Sequence, residues 1–383
     1  MAGTSLEKPI ISNLCFVPLE RSEAGAVITT GRGIVSLQGE RLLQQQTDHW
    51  IHWSESQGSF EDTTGWERMP NGWRRDNWEC WSNSERERDM DVTFDSSVAI
   101  LGNQSFRNHL HYTLENWHHP KKNEPGKGIF KHLGWLSPPD SDQYYYRYYV
   151  RYSGPTFKWT NNSFKQFYLI KLFNMNPSMG DKDLSEDKGP IMYDLQGRGD
   201  RIFVHLGERM ELERWYCIEL MVRKMGTEGI EVKFWLDGKP CNITEVDKYT
   251  PLSFPWKESY RDDNGRLSFK ELELGTVNCQ NWTFDQLPVD QNIWFDGFAL
   301  STKRRIYPAA LVEIGDHPNY QAARKITPKI IHLSDQEIKF QAGLADIAKL
   351  AESGNTSFSL WVTNNREERS NPYSLDISSW RQG

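Results

Sequence analysis

Cysteine is scarce in this chain of 383 residues: five, at Cys15, Cys80, Cys217, Cys241 and Cys279, with no C-x-x-C pair. That spacing argues against a zinc finger or ribbon and provides no dense disulfide framework. One or two disulfides stay open, and the odd count leaves at least one thiol unpaired within the chain. No apolar run reaches the roughly 18 residues that cross a bilayer, so no membrane span is expected. Positive charge is not in excess: 45 Lys and Arg face 52 Asp and Glu, for a net charge of -7. A nucleic-acid partner, which needs a basic footprint, is therefore not expected. Helical periodicity is sparse, and there is no internal repeat or low-complexity tract. Met1–Ser12 lacks a signal-peptide core. The start Met1-Ala2-Gly3-Thr4-Ser5 reads as one placed after a removed export signal, so an extracellular or periplasmic protein is expected.

Aromatic side chains are abundant: 13% of residues, including 16 Trp. Mean hydropathy is -0.70, a soluble and globular balance. Aromatics in this number either give volume to a thick core or lie near the surface, where an indole stacks on the apolar face of a sugar ring. The cluster Trp50, Trp53, Trp66, Trp73, Trp78 and Trp81 admits both readings: the floor of a sugar subsite, or packing beneath an N-terminal extension.

Period-two alternation, the strand signature, recurs along the chain. It predicts strands over Val92–Ile100, Ser105–Leu114, Gln143–Tyr152, Phe164–Phe173, Arg201–Leu206, Trp215–Arg223, Ile230–Leu236, Arg266–Leu274 and Ile293–Thr302. Long polar connections separate several of them, and many strands with few helices predict an all-β sandwich or barrel. One helix is expected over Gln341–Ser353, with strand–turn–strand as its rival. Aromatics thin out after Ser301, and short β runs follow at immunoglobulin-like spacing. The expected division is an N-terminal extension over 1–59 packing on the sandwich, a main domain over 60–304 and a small Ig-like domain over 305–383.

Alternation also sorts each strand into two faces. On Ser105–Leu114 one face is largely apolar; the other carries Arg107, His109 and His111. On Gln143–Tyr152 one face holds Tyr144, Tyr146, Tyr148, Val150 and Tyr152, and the other Tyr145, Arg147, Tyr149 and Arg151. A Tyr/Arg face suits an anionic sugar, because Arg takes a carboxylate or sulfate through two donors and Tyr adds a ring and a hydroxyl. An exposed face with Arg lying over Tyr is the plainer alternative. Glu219, Asp296 and Lys171 are lone charges among apolar neighbours. A Lys–Glu or Lys–Asp pair across adjacent strands would satisfy them, and a ligand or catalytic role is the rival.

The ordered segments Tyr144–Tyr152 (YYYRYYVRY), Lys171-Leu172, WYCIEL from Trp215, FWLDG from Phe234 and IWFDGFALST from Ile293 resemble the concanavalin A-like jelly roll of bacterial polysaccharide lyase-like proteins. The neighbourhood is that of heparin lyase I and glucuronan lyase. The resemblance covers about Phe60 to Thr302, and the C-terminal stretch resembles Ig-like accessory domains. It implies a concave sheet holding an extended, anionic polysaccharide. It further implies a lyase that neutralises a uronate carboxylate, removes the C5 proton and protonates the departing oxygen. On this sequence the implied acid and base candidates are His109, His111, Tyr149 and Lys171. The implied carboxylate clamps are Arg107 and Arg147; Glu219 and Asp296, from their lone charges, are further substrate-binding candidates.

The chain departs from related patterns. It lacks the R-[ST]-E-[LV]-R and Q-[IV]-H signatures of common alginate lyases and the E-x-D-x-x-E set of laminarinase-type hydrolases. The acidic run Glu85, Glu87, Asp89, Asp91 does not have that spacing. Two further readings stand: a non-catalytic carbohydrate-binding or adhesion protein, and a glycoside hydrolase using Glu219 and Asp296. No cofactor is required for any of these. A calcium ion stays open, although no D-x-D-x-D-G loop is present.

Overall fold

Side chains that alternate between apolar and polar build antiparallel strands throughout the chain, because each strand can then bury one face. The computed structural model describes residues 8–23, 26–40, 67–69, 72–75, 78–82, 90–112, 130–135, 143–155, 167–169, 173–176, 190–194, 201–205, 211–225, 229–245, 272–278, 289–302, 304–334, 336–343, 347, 350, 358–364 and 368–375. Every extended element among them is a strand, as the all-β expectation requires. Contacts divide the chain into two units, one of residues 1–48, 99–103 and 306–383, the other of 49–98 and 104–305.

The larger unit holds two sheets. The first has ten strands, running from Asn242–Glu245 at one edge to Glu67–Met69 at the other. The second has seven, in the order Lys239–Pro240, Gly229–Leu236, Trp215–Met225, Gln143–Ser153, Val289–Ser301, Ser105–Tyr112, Met90–Asp95. The chain shuttles between them. Ser105–Tyr112 belongs to the seven-stranded sheet and Phe130–Trp135 to the ten-stranded one. Gln143–Ser153 returns, Phe167–Leu169 leaves, and Val289–Ser301 comes back last. Such alternation puts sequence neighbours in opposite sheets, which is the jelly-roll sandwich expected from the strand motifs.

Ladder registers confirm the faces read from alternation. Tyr148 lies opposite Ile218, Tyr146 opposite Leu220 and Val150 opposite Phe295, which in turn faces Phe106. All are buried, and Tyr146, Tyr148 and Phe106 are among the largest fully buried side chains. Aromatics at these positions therefore serve the core, where truncating Phe106 to Ala costs about 3–5 kcal/mol. The other face of the same sheet is polar and carries the candidate residues.

Several predicted strands differ in extent. Val92–Ile100 ends at Asp95, because the Asp95 carboxylate accepts the Ser97 N–H at 2.8 Å and turns the chain. Ile293–Thr302 begins earlier, at Val289, and carries a bulge between Asp296 and Ala299. Phe164–Phe173 resolves into a hairpin of Phe167–Leu169 and Phe173–Asn176. Lys171 falls between those two strands, outside the described residues.

The smaller unit has two four-stranded antiparallel sheets. In one, the hairpin of Ile10–Glu23 and Ala26–Glu40 is extended by Glu337–Gly343 and Lys329–Leu333. The other is ordered Lys325–Ile326, Ala310–Gly315, Phe358–Asn364, Tyr373–Leu375. The expected division made 1–59 an extension on the main sandwich. Its strands instead complete a sheet with Glu337–Gly343, where Val35 opposes Phe340 and Leu37 opposes Ile338, all four buried. Of the expected helix Gln341–Ser353, the first three residues belong to a strand. Ile347 and Leu350 have helical backbone and are buried.

Candidate functional site

Three neighbouring strands bring polar side chains together on two successive rungs of the seven-stranded sheet. On one rung Arg107, Trp294 and Arg151 lie directly opposite one another in turn. On the next rung, two residues along, come His109, Asn292 and Ser153. Directly opposed residues of an antiparallel ladder share a face, with Cβ atoms about 4.5–5.5 Å apart. The six side chains therefore form one patch, with an indole at its centre and donors around it. The Arg151 guanidinium lies over the Trp294 ring, 5.7 Å from its centroid. A cation over an indole face is held by the ring quadrupole, which fixes the arginine's direction.

Each basic group of the patch is held by a carboxylate. Asp95 accepts the Trp294 indole N–H at 2.8 Å and lies 3.6 Å from Arg107. Burial alone would raise the Asp95 pKa. Hydrogen bonds from Ser97 and Trp294, with the Arg107 charge, outweigh it and hold the carboxyl below the usual range. His109 Nε2 meets Asp290 Oδ1 at 2.9 Å. Arg151 and Ser153 both bond Glu213, one to each carboxylate oxygen. Arg107, His109 and Arg151 are 27%, 29% and 23% exposed at their side chains, open enough to meet a ligand. The buried atoms of the patch without a hydrogen-bond partner include Arg151 Nε and Asn292 Oδ1.

Gly154 seats the edge of the patch. A Cβ on it would lie 2.3 Å from the Asp290 carbonyl oxygen and 2.6 Å from the Gln291 Cα, at a φ of +140°. Only glycine allows the strand end that carries Ser153 to approach the one that carries Asp290 this closely.

Moving along the same face toward the Trp215–Met225 strand, the groups become buried. Arg147, Tyr149, Glu219 and Asp296 are 7%, 3%, 1% and 0% exposed. The bulge explains two of them. Gly297 has a φ of 54°, the Asp296 carboxylate accepts its N–H at 2.7 Å, and Arg147 Nε donates to its carbonyl at 3.1 Å. Arg147 and Asp296, expected to bind substrate, thus hold the irregular backbone of the Val289–Ser301 strand. Tyr149 lies between Cys217 and Asp296 in register.

Glu219 receives Arg305 Nε at 2.7 Å, and Arg305 also donates to the Gly238 carbonyl at 3.2 Å and lies over the Trp235 ring at 4.1 Å. The partner of Glu219 among the described residues is thus an arginine, and Lys171 lies outside them. Glu219 Oε1 has no hydrogen-bond partner. Burial pushes its carboxyl up to about 7, against the opposing pull of Arg305 and Arg147. Burial, with the nearby Glu219 charge, likewise raises the Cys217 thiol well above its ordinary value. Glu219 and Asp296 flank Gln143–Ser153 on opposite sides, opposite Arg147 and Tyr149 respectively.

His111 follows His109 on the same strand, at the position opposite Asp290. Of the tryptophan cluster, Trp73, Trp78 and Trp81 occupy strands of the ten-stranded sheet, and Trp50, Trp53 and Trp66 lie outside the described residues. Cys15, Cys217 and Cys241 are free thiols. Among the described residues, no three His, Cys, Asp or Glu side chains are grouped to hold a metal ion, and no helix is long and apolar enough to cross a membrane.

No protein-family model and no curated protein matches this sequence. Among solved structures, the chain is similar to a cellulose-induced protein, Cip1, with 13% identity and a TM-score of 0.37 over 64% of this chain and 95% of that one. It is similar to the endo-β-1,4-glucuronan lyase of the fungus Trichoderma reesei, with 12% identity and a TM-score of 0.38 over 68% and 96%. It is also similar to alginate lyase Aly36B, with 15% identity and a TM-score of 0.32 over 56% and 88%.

Asp290, Asn292, Ser153, Glu213 and Arg305 were not among the residues singled out from sequence. Asp290 and Asn292 sit just before the predicted start of their strand, and extending its alternation backwards by two steps would have found both. Glu213 and Arg305 lie in a turn and at a unit boundary, where alternation carries no information.

Proposed function

We propose that this chain is an exported bacterial polysaccharide lyase that binds a uronate-containing polymer on the polar face of the seven-stranded sheet. In this reading the smaller unit is an Ig-like accessory domain. The supporting observation is the two-rung patch: Arg107 and Arg151 on either side of Trp294, with His109 on the adjoining rung. Two guanidiniums about two strand spacings apart, roughly 10 Å, suit carboxylates carried along an extended chain. Neutralising the carboxylate stabilises the charge that develops when C5 loses its proton. His109, oriented by Asp290, takes that proton. The C5–H electron pair becomes the C4–C5 double bond, the C4–O bond breaks, and the departing oxygen accepts a proton. His111, Tyr149 and Lys171 are the proposed donors. No metal or other cofactor enters these steps, and calcium would have a structural role only.

The test is incubation with a panel of uronate polymers, followed by the ultraviolet absorbance of the new unsaturated uronate. The proposal expects absorbance to rise with at least one polymer and to fail with His109→Ala. No rise across glucuronans, alginates and glycosaminoglycans overturns it. A second reading, a carbohydrate-binding protein without catalysis, is favoured by the burial of Tyr149. It expects retention on the insoluble polymer with neither unsaturated product nor new reducing ends.

A further inference from the structure

Arg151 and Ser153 present two donors, two residues apart on one strand, and both are engaged by the carboxylate of a single residue, Glu213. Two-point recognition of this kind is the geometry by which proteins read a carboxylate. The residue filling it is unusual in two ways. Glu213 is 57% exposed at its side chain, so its carboxylate could be solvated by water at little cost. It also has a φ of 61°, a conformation that residues other than Gly, Asn and Asp seldom take. Its N–H bonds the Tyr152 carbonyl at 2.8 Å, which fixes the turn beside the very strand that supplies the donors. Next to this seat, Arg151 Nε and Asn292 Oδ1 are buried without partners, one donor and one acceptor that the internal carboxylate leaves unused.

We infer that Glu213 is a tethered stand-in for a sugar carboxylate: it occupies the Arg151–Ser153 seat in the free protein and is displaced by a uronate of the polymer. This rests on the proposed uronate specificity, but not on the lyase step. Displacement exchanges one carboxylate for another on the same donors, so charge in the seat is conserved. The exchange favours ligands with several linked carboxylates, because Arg107 and His109, on the strand beyond Val289–Ser301, engage at the same time. Glu213 thereby sets a threshold against single small carboxylates such as acetate.

The experiment is calorimetric titration of the full chain with a glucuronate tetramer, a mannuronate tetramer and acetate, using wild type, Glu213→Gly and Arg151→Ala. Glycine accepts the positive φ, so Glu213→Gly removes the carboxylate while keeping the turn, and its melting temperature checks that it does. The inference expects Glu213→Gly to bind one of the tetramers about three- to fivefold more tightly than wild type, the range of an exposed ion pair. Acetate, barely bound by wild type, should gain measurable binding in Glu213→Gly but not in Arg151→Ala. Equal or weaker tetramer binding by Glu213→Gly, or no binding by either protein, overturns it. If the variant binds more tightly but neither protein releases unsaturated product, the lyase step fails and the stand-in survives. If wild type turns over a polymer and Glu213→Gly binds it no better, the reverse holds.

Discussion

Arg107 and Arg151 stand one strand to either side of Trp294, on the same rung and the same face of the seven-stranded sheet. Neither arginine is near the other in sequence, and each keeps a different carboxylate, Asp95 for the first and Glu213 for the second. Trp294 ties the pair together, lying beneath the Arg151 guanidinium and donating its N–H to the carboxylate that also faces Arg107.

Replacing either arginine with Ala should therefore weaken uronate binding. A hydrogen bond to a charged group contributes about 1.5–3 kcal/mol, which corresponds to roughly ten- to a hundredfold in affinity. Neutral oligosaccharides of the same length should bind as before. Titration of each variant with charged and neutral ligands checks this, and parallel losses for both ligands would point to a structural defect.

His109 and Asp290 should separate by their kinetic signatures. His109→Ala should lower kcat about 10²–10⁴-fold, the range of a positioned acid or base. Asp290 acts by holding the ring, at 2.9 Å from Nε2. Asp290→Asn should lower kcat less, with KM little changed, and Asp290→Glu should restore part of the loss. A rise in KM alone would assign Asp290 to substrate binding.

Glu219 makes stability depend on pH. Its ordinary value is 4.5 and burial raises the folded value to about 7. Below about 4.5 both states are protonated and no penalty exists. Between about 4.5 and 7 the folded chain keeps a proton that the unfolded chain has released, so stability falls as pH rises, and above 7 the loss is complete. At 1.36 kcal/mol per unit the full effect is about 3 kcal/mol. Glu219→Gln should flatten this part of the profile in urea unfolding followed across that pH range. An unaltered slope would mean that other groups cause it.

Gly154→Ala should destabilise the larger unit by more than about 1 kcal/mol, since the new Cβ would meet backbone, which cannot yield as a flexible side chain does. The same change should impair uronate binding, because Ser153 and Asp290 lie on the two strand ends it forces apart. A stable variant with intact binding would contradict this account of the close approach.

Alternation alone placed Arg107 with His109, and Arg151 with Arg147 and Tyr149, on their polar faces, since period two needs only local sequence. Register was beyond it: which strands adjoin, and hence that Asn292 sits between His109 and Ser153, depends on long-range pairing. The bulge at Gly297 was also hidden in the sequence, and it turned Arg147 and Asp296 from expected ligands into supports for the backbone. Glu219, a lone charge among apolar neighbours, was read as needing a partner, and that partner is Arg305, some 86 residues away. The N-terminal hairpin is paired with Glu337–Gly343, close to the far end of the chain, and no local signal announces such a pairing.

The central claim is that the patch around Trp294 recognises the carboxylates of a sugar polymer. Its most direct measurement is a titration of the intact protein with a uronate tetramer and with the same tetramer after its carboxyl groups have been reduced to alcohols, following tryptophan fluorescence. Saturable binding of the charged form, at least tenfold weaker for the reduced form and abolished in a double Arg107→Ala, Arg151→Ala variant, is the predicted result. Equal affinity for the two tetramers would contradict it.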